Sequence, residues 1–176
     1  WQNYKIASTC RNKIVKQVDY EGVSNKSKKV MSEIENSNSV AIHVRRGDYV
    51  TNKAVTDILP PLRVDYYQKA INEICKRVKK PKFFVFSNDK EWASSAFNKL
   101  IEHKLIDWNT GDDSYQDLLL MSKCKHNIIA NSTFSWWGAF LNTNKRKFVL
   151  YPKNWYKKEL NFKLKELIVP DWIGIN

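Results

Sequence analysis

Apolar positions fall into two kinds of run along this chain: short unbroken ones, and longer ones spaced at three and four. Ser39-Val40-Ala41-Ile42-His43 is a short run, the pattern of a strand buried on both faces. After the breaker Pro60-Pro61, apolar residues recur at Val64, Tyr67, Ile71, Ile74 and Val78. That spacing predicts a helix over 64–78 with one apolar face. Lys82-Phe83-Phe84-Val85-Phe86 reads as the next buried strand, and Ser87-Asn88-Asp89 as the start of a second helix. Asp89 and Glu91 are placed to meet the positive end of that helix's dipole. The pattern then repeats: a strand over 105–108, a helix over 117–121, a strand over 127–130, a helix over 134–141, and a strand over 147–151 stopped by Pro152.

Alternating strands and helices predict an α/β fold, a Rossmann-like and mostly parallel sheet with helices on both faces and right-handed crossovers. Residues 39–176 form this unit. Residues 1–38 form a lead-in of helix and loop, with a short helix over 29–35.

The polar motifs gain meaning from that arrangement. His43-Val44-Arg45-Arg46-Gly47-Asp48-Tyr49 ends the first strand, Ser87-Asn88-Asp89 ends the second, and Asn131-Ser132-Thr133-Phe134-Ser135 links a later strand to a helix. In a parallel sheet the carboxyl ends share one edge, where ligands of open α/β sheets bind. Arg45 and Arg46 present forks suited to the paired oxygens of a diphosphate. Gly47 permits a sharp turn and close approach, and Asp48 can orient an arginine. Ser132, Thr133 and Ser135 sit at a helix start, an anion site in its own right, although helix capping would use the same hydroxyls. Asp89 can accept two N–H donors from a guanine edge, or serve only as first-turn charge. His43 can face a base, or be a satisfied core histidine. Taken alone, the arginine motif would also fit a solvated surface loop.

Composition narrows the classes. The 176 residues are 43% hydrophobic, enough for one packed domain. A formal net charge of +12 calls for an anionic partner or a self-repelling surface. The lysines are dispersed, at 26–29, 76–80, 145–147 and 157–158. Solvated faces account for most of them, and peripheral contact with an anionic membrane surface is the next reading. No nucleic-acid module is recognisable, so no nucleic-acid partner is expected. Cys10, Cys75 and Cys124 are odd in number and widely spaced. A reducing, cytoplasmic setting follows, and neither a disulfide framework nor a structural metal. No apolar run has transmembrane length. With only five glycines, P-loop and dinucleotide fingerprints are excluded, as is a Gly-x-Ser-x-Gly elbow. Arginines plus a helix start, without a glycine-rich loop, suit a nucleotide-sugar transferase whose diphosphate is the leaving group.

The motifs resemble the α-1,2-fucosyltransferases of glycosyltransferase family 11. His43 to Tyr49 matches a His-x-Arg-Arg-Gly-Asp-Tyr block, and Phe84 to Trp92 is similar to a Phe-Ser-Asp-Asp…Trp block. Asp117 to His126, running into Asn131 to Ala139, looks like a third block. Pro152-Lys153-Asn154-Trp155 resembles a closing Pro-x-x-Trp, and Trp1-Gln2 a segment before the first block. The resemblance implies the donor-binding domain of a GT-B glycosyltransferase. It implies inverting transfer of L-fucose from GDP-fucose to the 2-hydroxyl of a galactose-terminated glycan, with no metal or other cofactor. By the same resemblance Arg45 and Arg46 hold the diphosphate; Asp48, the best base or orienting carboxylate in the chain, completes the expected catalytic set. His43 and Asp89 face guanine and Ser135 touches the β-phosphate, with Ser132 a further nucleotide-binding candidate from its place at the helix start. Asn88 stands where an aspartate is usual. The family's Gly-Gly-Leu-Gly-Asn-Gln type loop is missing, so the chain reads as a donor-binding carboxyl-terminal part, with 1–38 as the junction to an amino-terminal domain. A non-catalytic nucleotide- or glycan-binding module is the alternative.

Overall fold

A computed structural model describes residues 3–18, 20, 22–157 and 164–176. Its centre is a six-stranded sheet in the order β3-β2-β1-β4-β5-β6. The strands are β1 (Ser39–Val44), β2 (Lys82–Ser87), β3 (His103–Ile106), β4 (His126–Ile128), β5 (Val149–Pro152) and β6 (Ile173–Ile175). Every neighbouring pair is parallel, so the sheet is wholly parallel.

The helices cover both faces. They are α1 (Tyr4–Gln17), α2 (Asn25–Glu35), α3 (Gly47–Thr51), α4 (Lys53–Thr56), α5 (Val64–Arg77), α6 (Lys90–Phe97), α7 (Tyr115–Lys123), α8 (Thr133–Leu141) and α9 (Leu164–Leu167). Alternation along β1 divides the core. Val40, Ile42 and Val44 pack with Tyr67, Ile71 and Ile74 of α5 and Phe97 of α6. Ala41 faces the other way, with Phe84, Ile34 of α2 and Leu120 of α7. Because α5 places its apolar residues on one stripe, it buries Tyr66, Tyr67, Ala70, Ile71 and Ile74 while Lys76 and Arg77 end it. A third cluster gathers Trp136 and Phe140 of α8, Trp155, Trp172 and Ala7 of α1. Trp136 is fully buried, and its Nε1 donates to the Leu167 carbonyl at 2.8 Å.

Several boundaries depart from the sequence reading. β3 spans 103–106 rather than 105–108, because it pairs with β2 in the register Phe83↔His103 to Phe86↔Ile106. Trp108 lies beyond it, donating from Nε1 to Ser27 Oγ at 3.2 Å. β5 includes Pro152 instead of stopping before it. Proline ends the strand where its missing N–H is harmless, and Lys153 N donates to Ile175 O at 2.9 Å. α2 begins at Asn25, four residues before 29, because Ser24 caps it. The short elements α3, α4 and β6 carry no readable periodicity. Trp1, Gln2 and Lys158 lie outside the described residues.

Candidate active site

β1 pairs with β2 on one side and β4 on the other. β2 and β3 therefore extend the sheet one way and β4, β5 and β6 the other. The order reverses between β1 and β4, and crevices outside strand carboxyl ends open at such switch points. A cleft of about 740 Å³ opens there.

His43, Arg45, Asp48 and Ser132 line it, as the convergence of strand ends predicts. His43 is 6% exposed and its Nδ1 meets no hydrogen-bond partner among the described residues. Burial, with the Arg45 charge adding to it, pushes its pKa down to about 3. The ring is therefore neutral at physiological pH, lying 5.6 Å from the Phe134 ring. The Arg45 guanidinium pairs with Asp48 at 2.8 Å and lies 5.7 Å from the Tyr49 ring centre. Ser132 is the N-cap residue of α8, yet no side chain caps that helix. Its first N–H groups open beside Thr133 and Phe134, which also line the cleft. Guanidinium and helix start are two independent anion-stabilising features on one cavity.

Three predicted residues are not brought to this cleft. Asp89 caps α6, accepting from Trp92 N at 3.1 Å, and its other oxygen accepts from Arg46 Nε at 3.2 Å. The Arg46 guanidinium carbon lies over the Trp92 ring, 4.4 Å from its centre, and Arg46 lines a separate small hollow with Arg63 and Trp92. The Arg46–Asp89 pair joins the end of β1 to the start of α6, and neither residue lines the main cleft. Ser135 is fully buried, its hydroxyl donating back to the carbonyls of Ala130 and Ser132. The ends of β1 and β2 are nevertheless tightly joined. Arg46 N donates to Asn88 Oδ1 at 3.0 Å, and a Cβ on Gly47 would collide with the Asn88 amide. Glycine at 47 lets the first and second strand ends close on each other.

Sequence reading missed the wall beyond β3. Asp107, Asn109 and Asp117 line the cleft on that side. Asn109 is 8% exposed and fixed at both ends: its Oδ1 accepts from Ser27 Oγ and its Nδ2 donates to Asp117 Oδ1 at 2.7 Å. Burial pushes the Asp117 carboxyl up to about 7. The Asn109 hydrogen bond opposes that shift and the Asp107 charge adds to it. Asp117 belongs to the third motif block, and the sequence places it only at the start of the helix expected over 117–121. Only the fold shows it on the cleft wall.

Comparison with known proteins gives the family. The model of Glycosyl transferase family 11 matches residues 1–176. An O-antigen biosynthesis glycosyltransferase, WbnK, from Escherichia coli is 40% identical over 141 residues, covering 80% of this chain and 46% of that protein. An alpha-1,2-colitosyltransferase from the same species is 34% identical over 163 residues, covering 90% of this chain and 55% of its own. The galactoside alpha-(1,2)-fucosyltransferase 1 of Sus scrofa is 30% identical, covering 80% and 39%. The chain thus spans about half the length of the curated bacterial relatives it matches.

Proposed function

The chain belongs to glycosyl transferase family 11, and we propose that its carboxyl-edge cleft holds the donor GDP-fucose. In this reading L-fucose passes, with inversion, to the 2-hydroxyl of a galactose-terminated glycan. The observation that carries it is the meeting of Arg45 and the uncapped start of α8 in one cleft at the switch point. Breaking the bond between sugar and diphosphate leaves negative charge on the β-phosphate. Arg45 and the α8 N–H groups are fixed in advance where that charge develops, which lowers the barrier.

The guanine edge has N–H donors at N1 and N2 and needs an acceptor. Asp117, oriented by Asn109 and facing the same cleft as neutral His43, suits it better than Asp89, whose oxygens are committed. Arg46 acts indirectly, bracing the Arg45 loop through Asp89 and Trp92. Asp48, paired with Arg45, makes a weak base for the acceptor hydroxyl. Arg45 and the α8 N–H groups stand in for a divalent ion in this scheme, so transfer by the full-length protein should continue in the presence of a chelator. No helix among the described residues is long and apolar enough to cross a membrane. In this proposal the protein works in the cytoplasm, meeting an anionic membrane surface at most peripherally.

Fucose and colitose, the sugars in two relatives' names, are both 6-deoxy sugars with a methyl at C5. Titration calorimetry tests the donor assignment: GDP should bind more tightly than ADP or UDP. Equal affinity for all three would remove guanine while leaving the phosphate grip. Fucosyl transfer by a full-length parent separates an enzyme from a binding module.

A further inference from the structure

The cleft is chemically uneven from end to end. The polar wall of Asp107, Asn109 and Asp117 lies on the β3 side, and the anion-stabilising groups follow β1 and β4. The remaining wall is formed by Tyr49, Val55 and Leu59. Val55 and Leu59 are one helical turn apart, with Leu59 N donating to Val55 O at 2.8 Å. They therefore share a face. Both are half-buried, so each keeps apolar surface toward the cleft.

This wall is held on the β4–β5 side. The Tyr49 hydroxyl donates to Asn131 O at 2.9 Å, just after β4, and Asn131 Nδ2 donates to Pro60 O at 2.9 Å. Lys157 N, beyond β5, donates to Ile58 O at 3.0 Å, and Lys157 Nζ pairs with Asp57 at 2.8 Å. Leu59 also packs against the cluster that contains Trp136 and Trp155. A nucleotide sugar with its base on the β3 side and its diphosphate at the switch point directs its sugar toward this wall.

We infer that Val55 and Leu59, backed by Tyr49, form the subsite for the C6 methyl of a 6-deoxy-hexose donor and select against donors with a C6 hydroxyl. This rests on the donor-cleft reading above. A methyl gains by leaving water against Val55 and Leu59. A hydroxymethyl at the same place would lose water hydrogen bonds and find no donor or acceptor on those two side chains.

The test compares GDP-L-fucose with GDP-L-galactose, which differ only in a hydroxyl on C6, with GDP as the reference. The wild-type chain should bind GDP-L-fucose roughly tenfold more tightly than GDP-L-galactose, within the range for one group in an apolar pocket. Leu59→Asn and the near-isosteric Val55→Thr should each shrink that ratio to about threefold or less, with GDP affinity unchanged. Val55→Thr covers the case in which Leu59→Asn fails to fold. A wild type that does not discriminate, or folded variants that keep the full ratio, would overturn the methyl subsite while GDP still binds. No GDP binding by the wild type would overturn the donor cleft, and this inference with it.

Discussion

The two edges of the sheet spend polar groups in opposite ways. At the amino edge, asparagines close backbone groups against one another. Asn38 Nδ2 donates to Lys79 O, Asn144 Nδ2 to Lys125 O, and Asn142 Nδ2 to both Cys124 O and Asn127 Oδ1. At the carboxyl edge His43 Nδ1 is unpartnered among the described residues and the α8 start is uncapped. The amino edge is also the more basic. Arg77, Lys79, Lys123, Lys125 and Arg146 surround its groove of about 690 Å³, with Glu35 the acidic residue there. Arg77 ends α5 and Lys123 ends α7, where cations answer the negative ends of helix dipoles. Charge density alone would therefore choose the other edge. The candidate site is marked by groups that are oriented yet unsatisfied.

Arg45→Lys is the strongest way to break this contrast. It keeps the charge and loses the fork. GDP affinity should fall by about 1.5–3 kcal/mol, the range for hydrogen bonds to charged groups. Unfolding stability should move by no more than about 0.5 kcal/mol, since the Arg45–Asp48 pair is 36% and 42% exposed. Calorimetry and urea unfolding on the same sample read both numbers. Undiminished GDP affinity would put Arg45 among the solvated surface groups.

Asn142→Ala is the reciprocal test at the amino edge. Asn142 is 1% exposed, and its loss strands the Cys124 carbonyl and Asn127 Oδ1 in the interior. Stability should drop by about 2 kcal/mol, with GDP affinity unchanged in the folded fraction. A large loss of affinity without a loss of stability would reverse the roles assigned to the edges.

The third effect is smaller and has two signs. Asp117 is protonated below about pH 7 in the folded chain, whereas an unfolded aspartate titrates near 3.9. A raised folded pKa gives stability that is full below the unfolded value and is lost as pH rises through the folded one. The ligand-free chain should therefore lose stability between pH 4 and pH 7 through this group. GDP binding should move the other way, because the ionised carboxylate is the acceptor for guanine N–H groups. Affinity should rise roughly tenfold from pH 6 to pH 8, about 1.4 kcal/mol. Asp117→Asn should flatten both profiles. A flat wild-type binding profile would move the base elsewhere.

Much of the fold was legible because buried parallel strands announce themselves. β1 and β2 read as apolar runs and α5 as a period-3.6 stripe, and all three appear within a residue or so of their expected ends. The carboxyl edge followed from topology, and it brought His43, Arg45, Asp48 and Ser132 together. Asp89 and Asp117 were harder, because each is a carboxylate in the first turn of a helix or beside it. Which one caps and which one faces the cleft depends on the side-chain partners each finds. Asp89 finds Arg46 and a backbone N–H, while Asp117 finds Asn109 across a loop. Val55 and Leu59 were invisible for a related reason: 47–59 reads as a loop with no period, and its two short helices acquire a face only by packing on Asn131 and Lys157.

The smallest expected effect sharpens the comparison most finely, since it sets two adjacent arginines of one motif against each other. Arg46 is the more buried, with 19% of its side chain exposed against 36% for Arg45, so burial alone would make it the phosphate ligand. Its partners argue otherwise. The guanidinium carbon sits over the Trp92 ring at 4.4 Å and Nε donates to Asp89, and an ammonium keeps the charge there but loses the broad contact with the ring and the planar fork. Arg46→Lys should therefore cost about 0.5–1 kcal/mol of stability, in the range for an exposed cation–π contact. It should weaken GDP by less than about 0.5 kcal/mol, through looser bracing of the Arg45 loop. The split between the two readouts decides the matter. If Arg46→Lys instead lowers GDP affinity as far as Arg45→Lys while leaving the unfolding midpoint in place, the Arg46–Asp89 pair must open to admit the donor, and the diphosphate is gripped by both arginines.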